Sequence, residues 1–597
     1  MSQKEAAEYK LIEEGIYFDQ KSGRFRVKYP FIDDPRKLTN NYAQVVRIAA
    51  SLERKLMKEN LTDQANILFD KMIDVGAVTE LTEAELQMWE GPVHYLSIQH
   101  VVDLSSATTP LRLVTNSSLK DPVSGISLNS ILAKGPNVLN DMFEILIRFR
   151  LYDCGLISDV SKAYYMLLTG VLEMHVRRVL WRYGQVDSNW RTFAFLTVGM
   201  GDRPAACLME VAVKMTVQIF GHIDLVAARR LNRDRFVDDI STGGTVAEIK
   251  RFMGTENMET LVCDGTMPRI MGSTHLVLKA IGISGELDGQ KLKKLGSSVL
   301  GLGFSTERDT LMVRFRANTS VKKGKFSTGP DWNKDNIAEL DTTVLTMRLA
   351  MGVANCQYDP LGIGCPLVIR LKVAMGEMYR RKLTWDQPLP EDIQKQFKHL
   401  IRLVVDAGDL EFQRCTRPNN AVGKSVMIVY WDGGDHAFAA TVYLRWKLQS
   451  GGYQSCLLVA KARMSALWGF STPRVELNGA ALATRLAYRA VRSMETTDIP
   501  ELVYFLGDSE TVLASREKDS GYFGEFFGNR IGETYDIQAE IQKITKVGDN
   551  GDGLWWHVKS SDNAADRPTR LDSEPKDIGL GSDWQKGPHY LSLDRED

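Results

Sequence analysis

Ser425-Val-Met-Ile-Val-Tyr-Trp-Asp432 is a run of β-branched and aromatic residues that ends in a carboxylate. Such residues suit a pleated surface, and a short apolar run of this kind reads as a buried strand. Residues 437–446 and 456–463 read as two further strands. Pro473-Arg-Val-Glu476 then opens a helical stretch over 477–494, with Ala480, Ala483 and Ala487 on one face, a pattern suited to close packing on a sheet. Leu502-Val-Tyr-Phe-Leu-Gly-Asp508 is again a strand ending in an acid, with a helix after it. Leu554-Trp-Trp-His-Val558 is a last strand, followed by Ser560-Ser-Asp-Asn-Ala-Ala-Asp566.

The order β-β-β-α-β-α-β-α, with Asp432, Glu476, Asp508 and Asp566 at these four points, resembles the ribonuclease H fold. Taken singly, each acid is as well explained as an N-cap or turn carboxylate. Their weight comes from their number and order. Four carboxylates converging at a sheet edge suit two magnesium ions and hydrolysis of a phosphodiester. His557 sits inside the last strand, where it reads as structural.

A second acid set precedes this one. Gly155-Leu-Ile-Ser-Asp159 is strand-like and ends in an acid, and Arg235-Phe-Val-Asp238-Asp239-Ile240 places an acid pair in a tight hairpin. An Asp-Asp doublet alone says little: Asp33-Asp34, before Pro35, reads as an ordinary turn. Phosphoryl transfer from a nucleoside triphosphate, however, uses two divalent ions about 3.5–4 Å apart, and acids on neighbouring strands supply hard oxygen ligands for them.

The sequence around these acids resembles a known family. Phe236-Val-Asp-Asp239 is similar to the [YF]xDD signature of reverse transcriptases, and Ser158-Asp-Val-Ser-Lys-Ala-Tyr164 to their first palm motif. Thr197-Val-Gly199-Met-Gly-Asp-Arg-Pro204 lies where they have a Gly-x-x-x-x-Pro motif near the templating base. Gly91-Pro-Val-His-Tyr, Ser127-Leu-Asn129, Lys134-Gly-Pro136, Arg148-Phe-Arg150, Arg177-Arg-Val-Leu-Trp-Arg182, Tyr358-Asp-Pro-Leu-Gly362 and Leu383-Thr-Trp-Asp-Gln-Pro-Leu-Pro390 resemble the BEL/Pao branch of LTR retrotransposon polymerases.

The resemblance covers nearly the whole chain. It implies an α/β and α+β multidomain protein: a right-hand polymerase (fingers, palm, thumb), a connection and a C-terminal ribonuclease H-like α/β domain. The expected divisions are an N-terminal extension (1–40), fingers and palm (41–262), primer grip and thumb (263–330), connection (331–422), ribonuclease H (423–571) and a tail (572–597). The implied activity is RNA- and DNA-directed DNA synthesis coupled to degradation of RNA in RNA–DNA hybrids.

Asp159, Asp238 and Asp239 carry over as metal ligands, beside Asp432, Glu476, Asp508 and Asp566 in the second domain. Each site would take two Mg2+, with Mn2+ able to substitute. Tyr164 matches an aromatic that lies beneath the incoming sugar, Arg112 a fingers residue on the triphosphate, Gly199 the templating-base motif and Lys279 a motif-D lysine. Val299-Leu-Gly-Leu-Gly303 resembles the primer-gripping hairpin. The implied partners are template RNA, RNA–DNA hybrid, DNA duplex, dNTPs and a tRNA primer. The chain would act as a monomer or homodimer in the cytoplasm, inside virus-like particles.

Composition is compatible with this. At 597 residues the chain needs several cores, and 44% hydrophobic with 25% charged residues is ordinary globular usage. No apolar run approaches the length of a membrane span, and Met1-Ser-Gln-Lys lacks a secretory pattern, so no membrane partner is expected. The seven cysteines form no CxxC, which speaks against a structural zinc module and for reduced buried thiols. Net charge is −1, but residues 279–325 hold ten basic residues against four acidic, among them Lys291, Lys293, Lys294, Arg314, Arg316, Lys322, Lys323 and Lys325. Such a run suits phosphate contact without sequence reading.

Asp264-Gly-Thr266 is not an aspartic-protease triplet, and no integrase zinc module is visible. The chain is expected to be a processed or trimmed piece of a longer polyprotein. The rival reading, a catalytically silent captured element serving as an RNA- or protein-binding scaffold, would be favoured by loss of an acid. All seven are present.

Overall fold

The computed structural model describes residues 1–102, 110–160, 163–222, 224–245, 248, 298–305, 308–318, 331–467, 469–518, 520–546 and 554–594. Residues 15–29, with Lys21-Ser22-Gly23 as a turn signal, imply a hairpin, and Ile16–Asp19 does pair antiparallel with Arg24–Val27. Residues 40–72, whose apolar spacing implies one helix, form two instead, Tyr42–Lys58 and Thr62–Asp74. Asn60 lies between them with φ 56°, a left-handed conformation that asparagine tolerates better than most residues. The Asp33-Asp34 doublet is a turn: Asp34 caps the short helix Pro35–Lys37 by accepting from the backbone N–H of Arg36.

The segment expected to be the palm centres on a three-stranded sheet. Asp239–Gly244 is its middle strand, with Arg235–Phe236 on one side and Cys154–Asp159 on the other. Helix Met142–Leu151 packs on Asp239–Gly244, and helix Ala205–Phe220 packs on Leu225–Arg233. Residues 346–407 form three helices, Met347–Asn355, Cys365–Arg380 and Glu391–Ala407. They lead into strand Asp409–Gln413, which pairs with Thr310–Arg314.

The C-terminal sheet has five strands in the spatial order Tyr453–Met464, Ala437–Leu448, Ala421–Gly433, Leu502–Gly507, Trp555–His557. The first three are antiparallel, and the last two run parallel to Ala421–Gly433. Helix Thr472–Ser493 crosses one face, and helix Glu525–Thr545 packs on that helix. Ala480, Ala483 and Ala487 are all buried, as their spacing implies. The last residues fold back onto the sheet: the Tyr443 hydroxyl donates to the Trp584 carbonyl at 2.8 Å, and Trp584 Nε1 donates to the Ile363 carbonyl at 2.7 Å. A continuous buried core runs from Phe143 in the palm through the 346–407 helices to Leu591.

Three nearly wholly buried arginines fasten the palm to this C-terminal unit. Arg148 Nε lies 2.6 Å from Asp234 Oδ1, and its Nη1 donates at 3.0 Å to the Ser493 carbonyl at the end of the long helix. Arg150 donates to the carbonyls of Arg414 (3.2 Å), Gln413 (2.8 Å) and Leu458. Arg414 donates to the carbonyls of Phe149, Tyr152 and Asp153 at 2.8–3.0 Å and pairs with Asp309. Around them, Glu495 gathers Arg229, Arg230 and Arg233 from the palm at 3.7, 3.8 and 3.0 Å, and Arg489 pairs with Asp141.

A buried charge is tolerated only when paired and hydrogen-bonded, so each arginine requires its distant segments to be in place. Replacing Arg148 with Met leaves the buried Asp234 without its main counter-charge. The expected loss is about 3–5 kcal/mol, read as a lowered urea midpoint by circular dichroism.

Candidate metal centre

Asp432 lies near the end of strand Ala421–Gly433 and is 6% exposed. Parallel pairing from Val426↔Leu502 to Tyr430↔Leu506 puts Asp432 and Asp508 each two residues beyond a matched pair, at the same end of adjacent strands. Glu476 comes from the start of helix Thr472–Ser493. Two glycines let that helix touch the strand. A Cβ on Gly433 would lie 2.4 Å from the Glu476 nitrogen, and one on Gly479 would lie 2.5 Å from the Asp432 carbonyl oxygen. Any side chain there would push the acids apart.

The result is a tight cluster: ligand oxygens of Asp432, Glu476 and Asp508 all lie within 4.8 Å of one another. Burial, then the neighbouring carboxylates, raise Glu476 from 4.5 to about 8. Burial and the Asp508 and Asp566 charges likewise push Asp432 up to about 6, against the hydroxyl of Thr569, which donates to it. Glu476 Oε2 is buried with no hydrogen-bond partner. A divalent cation fits this set, since it would supply the missing positive charge and the contact that no donor makes.

Asp566 starts the short helix Asp566–Arg570 and is paired with Arg570. It is near enough to raise both buried acids, but it is not in the 4.8 Å cluster. His557 is exposed, in register with Gly507 immediately before Asp508. The sequence reading missed Asn563, whose Nδ2 donates to Asp508 Oδ1 at 3.2 Å and to the Trp431 carbonyl at 3.0 Å, and it missed Thr569. The signal available was two short polar residues flanking Asp566, too common to single out.

In the palm, Asp239 stands opposite Asp159 across the strand pair, and the Val160 N–H donates to the Asp238 carbonyl at 2.9 Å. The two acid-bearing segments are therefore adjacent, as expected; the Asp159 side chain lies outside the described residues. Burial raises Asp238, with Arg235 opposing the shift. Val237 has φ 57°, a rare conformation for a β-branched residue and a mark of stored strain. Arg235 holds the turn, with both Nη atoms 2.8 Å from Glu210 and a further bond to the Val237 carbonyl.

Tyr164 is nearly buried, and burial followed by the Asp238 charge pushes its phenol up to about 12. Tyr165 has Arg177 as its charged neighbour instead. Arg112 is exposed on strand Leu111–Asn116. Gly199 donates its N–H to the buried Asp202 at 3.0 Å, and a Cβ there would meet Arg177 Nη2 at 2.8 Å. Lys279 lies outside the described residues, as do Lys291, Lys293, Lys294, Lys322, Lys323 and Lys325. Arg314 and Arg316 are described, and Arg316 pairs with Asp409 at 2.7 Å. Leu302–Ser305 pairs with Ser298–Val299 and with Thr310–Arg314, so the expected hairpin at 299–303 does form. Among the described residues, no helix is long and apolar enough to cross a membrane.

The fold and the acid cluster define a mixed α/β multidomain protein with a C-terminal ribonuclease H-like domain. Residues 346–509 match the family model described as the Pao retrotransposon-like RNaseH-like domain. The match includes Asp432, Glu476 and Asp508 and bears out the resemblance to the Pao branch. No curated protein matches the chain. Among solved structures, foamy viral protease-reverse transcriptase dRH bound to double-stranded DNA is 10% identical, with TM-score 0.45, covering 82% of this chain and 68% of that one. The foamy viral protease-reverse transcriptase complex with an RNA/DNA hybrid is 9% identical, with TM-score 0.42, covering 84% and 54%.

The raised carboxyls give a pH signature. With Asp432 and Glu476 raised, the folded state without metal holds protons that the unfolded state has released. Stability is then full below pH 3.8, the unfolded value of Asp432, and is lost as pH rises through about 6 for Asp432 and about 8 for Glu476. In a chelator, thermal unfolding of the C-terminal unit is expected to shift down across this window, by about 2–4 °C for each kcal/mol lost. Glu476→Gln is expected to flatten the dependence, and Mg2+ to restore stability at pH 8.

Proposed function

We propose that the chain is a reverse transcriptase with ribonuclease H activity, making retroelement DNA and degrading the copied RNA. One observation carries the reading most directly: three carboxylates from separate elements are held together in the ribonuclease H-like unit, with a buried Glu476 oxygen that no donor satisfies. A merely structural domain has no use for that arrangement. A silent scaffold would not keep it at the cost in stability that the raised carboxyls imply.

Asp432, Glu476 and Asp508 would hold the metal in this domain, with Asp566 completing the set from its nearby helix, and Asp159, Asp238 and Asp239 would do so in the palm. Magnesium, or manganese in its place, would lower the charge on the reacting phosphate and favour the deprotonated attacking oxygen. In the palm, the strained turn at Val237 presents the acid pair to a primer 3′-hydroxyl and an incoming dNTP, and chain extension releases pyrophosphate. In the second domain, water replaces the primer hydroxyl, and cleavage of the RNA phosphodiester leaves separate strand ends. The hybrid would be recognised by shape and by its 2′-hydroxyls. Template RNA, the hybrid and duplex DNA are its substrates, with a tRNA as primer. Arg112 is assigned to the triphosphate, Lys279 to the motif-D lysine position among the substrate-binding residues, and Gly199 to the templating-base site.

The two activities should separate by mutation. Asp238→Asn is expected to abolish primer extension on an RNA template while leaving hybrid cleavage measurable, and Asp508→Asn to do the reverse. Parental extension by Asp238→Asn would overturn the palm assignment.

Tyr164 would lie beneath the sugar of the incoming nucleotide, where a flat ring leaves no room for a 2′-hydroxyl. Its proximity to Asp238 and the separate environment of Tyr165 support this choice. Tyr164→Val is expected to raise the ribo- to deoxyribonucleotide ratio of kcat/KM by about ten- to a hundredfold, or roughly 1.4–2.7 kcal/mol. A shift with Tyr165→Val and none with Tyr164→Val would move the gate by one residue.

A further inference from the structure

The segment after the last strand, Asn563 to Arg570, passes beneath the ends of both acid-bearing strands. We infer that Thr569 and Asn563 are positioning residues that aim the carboxylates of Asp432 and Asp508 toward a shared divalent cation. This inference rests on the ribonuclease H reading of the cluster.

Thr569 is 8% exposed, and its Oγ1 reaches both Asp432 Oδ2 and, at 2.9 Å, the Asp566 carbonyl. A hydroxyl has one proton to give. A carboxylate is the stronger acceptor, so the proton goes to Asp432. The last torsion of an aspartate is broad and roughly two-fold, and one strong donor at Oδ2 selects its setting.

Asn563 acts on the other acid. Its side-chain oxygen accepts from the Ala565 N–H at 3.1 Å, which fixes which end of the amide is the nitrogen. That nitrogen then spends its two protons on the Trp431 carbonyl and on Asp508 Oδ1. Trp431 precedes Asp432, so one amide ties the backbone beside the first acid to the carboxylate of the third. Asn563 is 4% exposed, and no competing water reaches these bonds easily.

At Glu476 the Gly433 backbone N–H acts on the carboxyl, but Oε2 stays without a partner. The two aspartates are thus held in place before metal arrives, whereas the glutamate completes its contacts only when metal binds. Donors that orient ligating carboxylates typically account for about 10–100-fold in metal affinity or activity. A plain helix-end role for Thr569, bonding back to the Asp566 carbonyl, would not affect metal affinity.

The test is Mg2+ binding to the full chain by isothermal calorimetry, together with the Mg2+-induced rise in melting temperature. Both are done in an Asp238→Asn background that removes most of the palm contribution. Thr569→Val keeps the shape and deletes the donor; Thr569→Ser keeps the donor. Thr569→Val is expected to weaken Mg2+ binding about tenfold, Thr569→Ser to restore it, and Asn563→Ala to weaken it similarly.

Unchanged affinity in both Thr569→Val and Asn563→Ala, or equal loss in Thr569→Val and Thr569→Ser, would overturn the inference. Asp432→Asn separates it from the reading beneath it. If Asp432→Asn still cleaves hybrid at the parental rate, the ribonuclease H reading itself falls. If Asp432→Asn is inactive while Thr569→Val and Asn563→Ala bind Mg2+ normally, only the positioning role is lost.

Discussion

The ion pair between Arg148 and Asp234, sealed from water, is the contact on which the arrangement of this chain depends. Asp234 is fully buried and also accepts from Tyr152 (2.9 Å) and Thr242 (2.6 Å), so palm helix, palm strand and hairpin all meet on one carboxylate. Arg148 reaches on to Ser493, and Arg150 and Arg414 extend the network to Leu458 and Gln413. Apolar packing tolerates sliding; a buried guanidinium with its donors taken by named carbonyls does not. The palm is thereby fixed to the far end of the same helix that carries Glu476 near its start.

The acid cluster is the opposite electrostatic case. In the arginine network, charge is buried and answered. Around Asp432, Glu476 and Asp508, like charges are crowded together, one buried and two half-buried, and Glu476 Oε2 has no partner. Proteins break their own packing rules at functional sites and compensate elsewhere. Here the compensation is a rigid frame: a five-stranded sheet, two glycines that allow helix and strand to touch, and a C-terminal segment that supplies donors from below.

Much of this was legible in the sequence. The strand endings at Asp432 and Asp508, the helix bearing Glu476 and the Phe-Val-Asp-Asp hairpin all follow from local pattern, because alternation of burial and the position of an acid after an apolar run are local properties. The continuous helix expected between residues 40 and 72 failed for a local reason too: apolar spacing persists across Asn60, while the backbone turns left-handed there. Asp566, expected among the metal acids, pairs with Arg570 and is not one of the three acids within 4.8 Å of one another, an arrangement that spacing does not reveal.

The sequence by itself determined the strands, the helices and the identity of the acids, since these are set by side-chain periodicity along a few neighbouring residues. Only the tertiary structure decided that Arg148, Arg150 and Arg414 are interior rather than surface charges, because the partners named for them lie between 86 and 345 positions away along the chain. It alone decided that Thr569 and Asn563 lie beneath Asp432 and Asp508, since a hydroxyl and an amide carry no pattern of their own. What they do depends on which carboxylate the fold brings within reach.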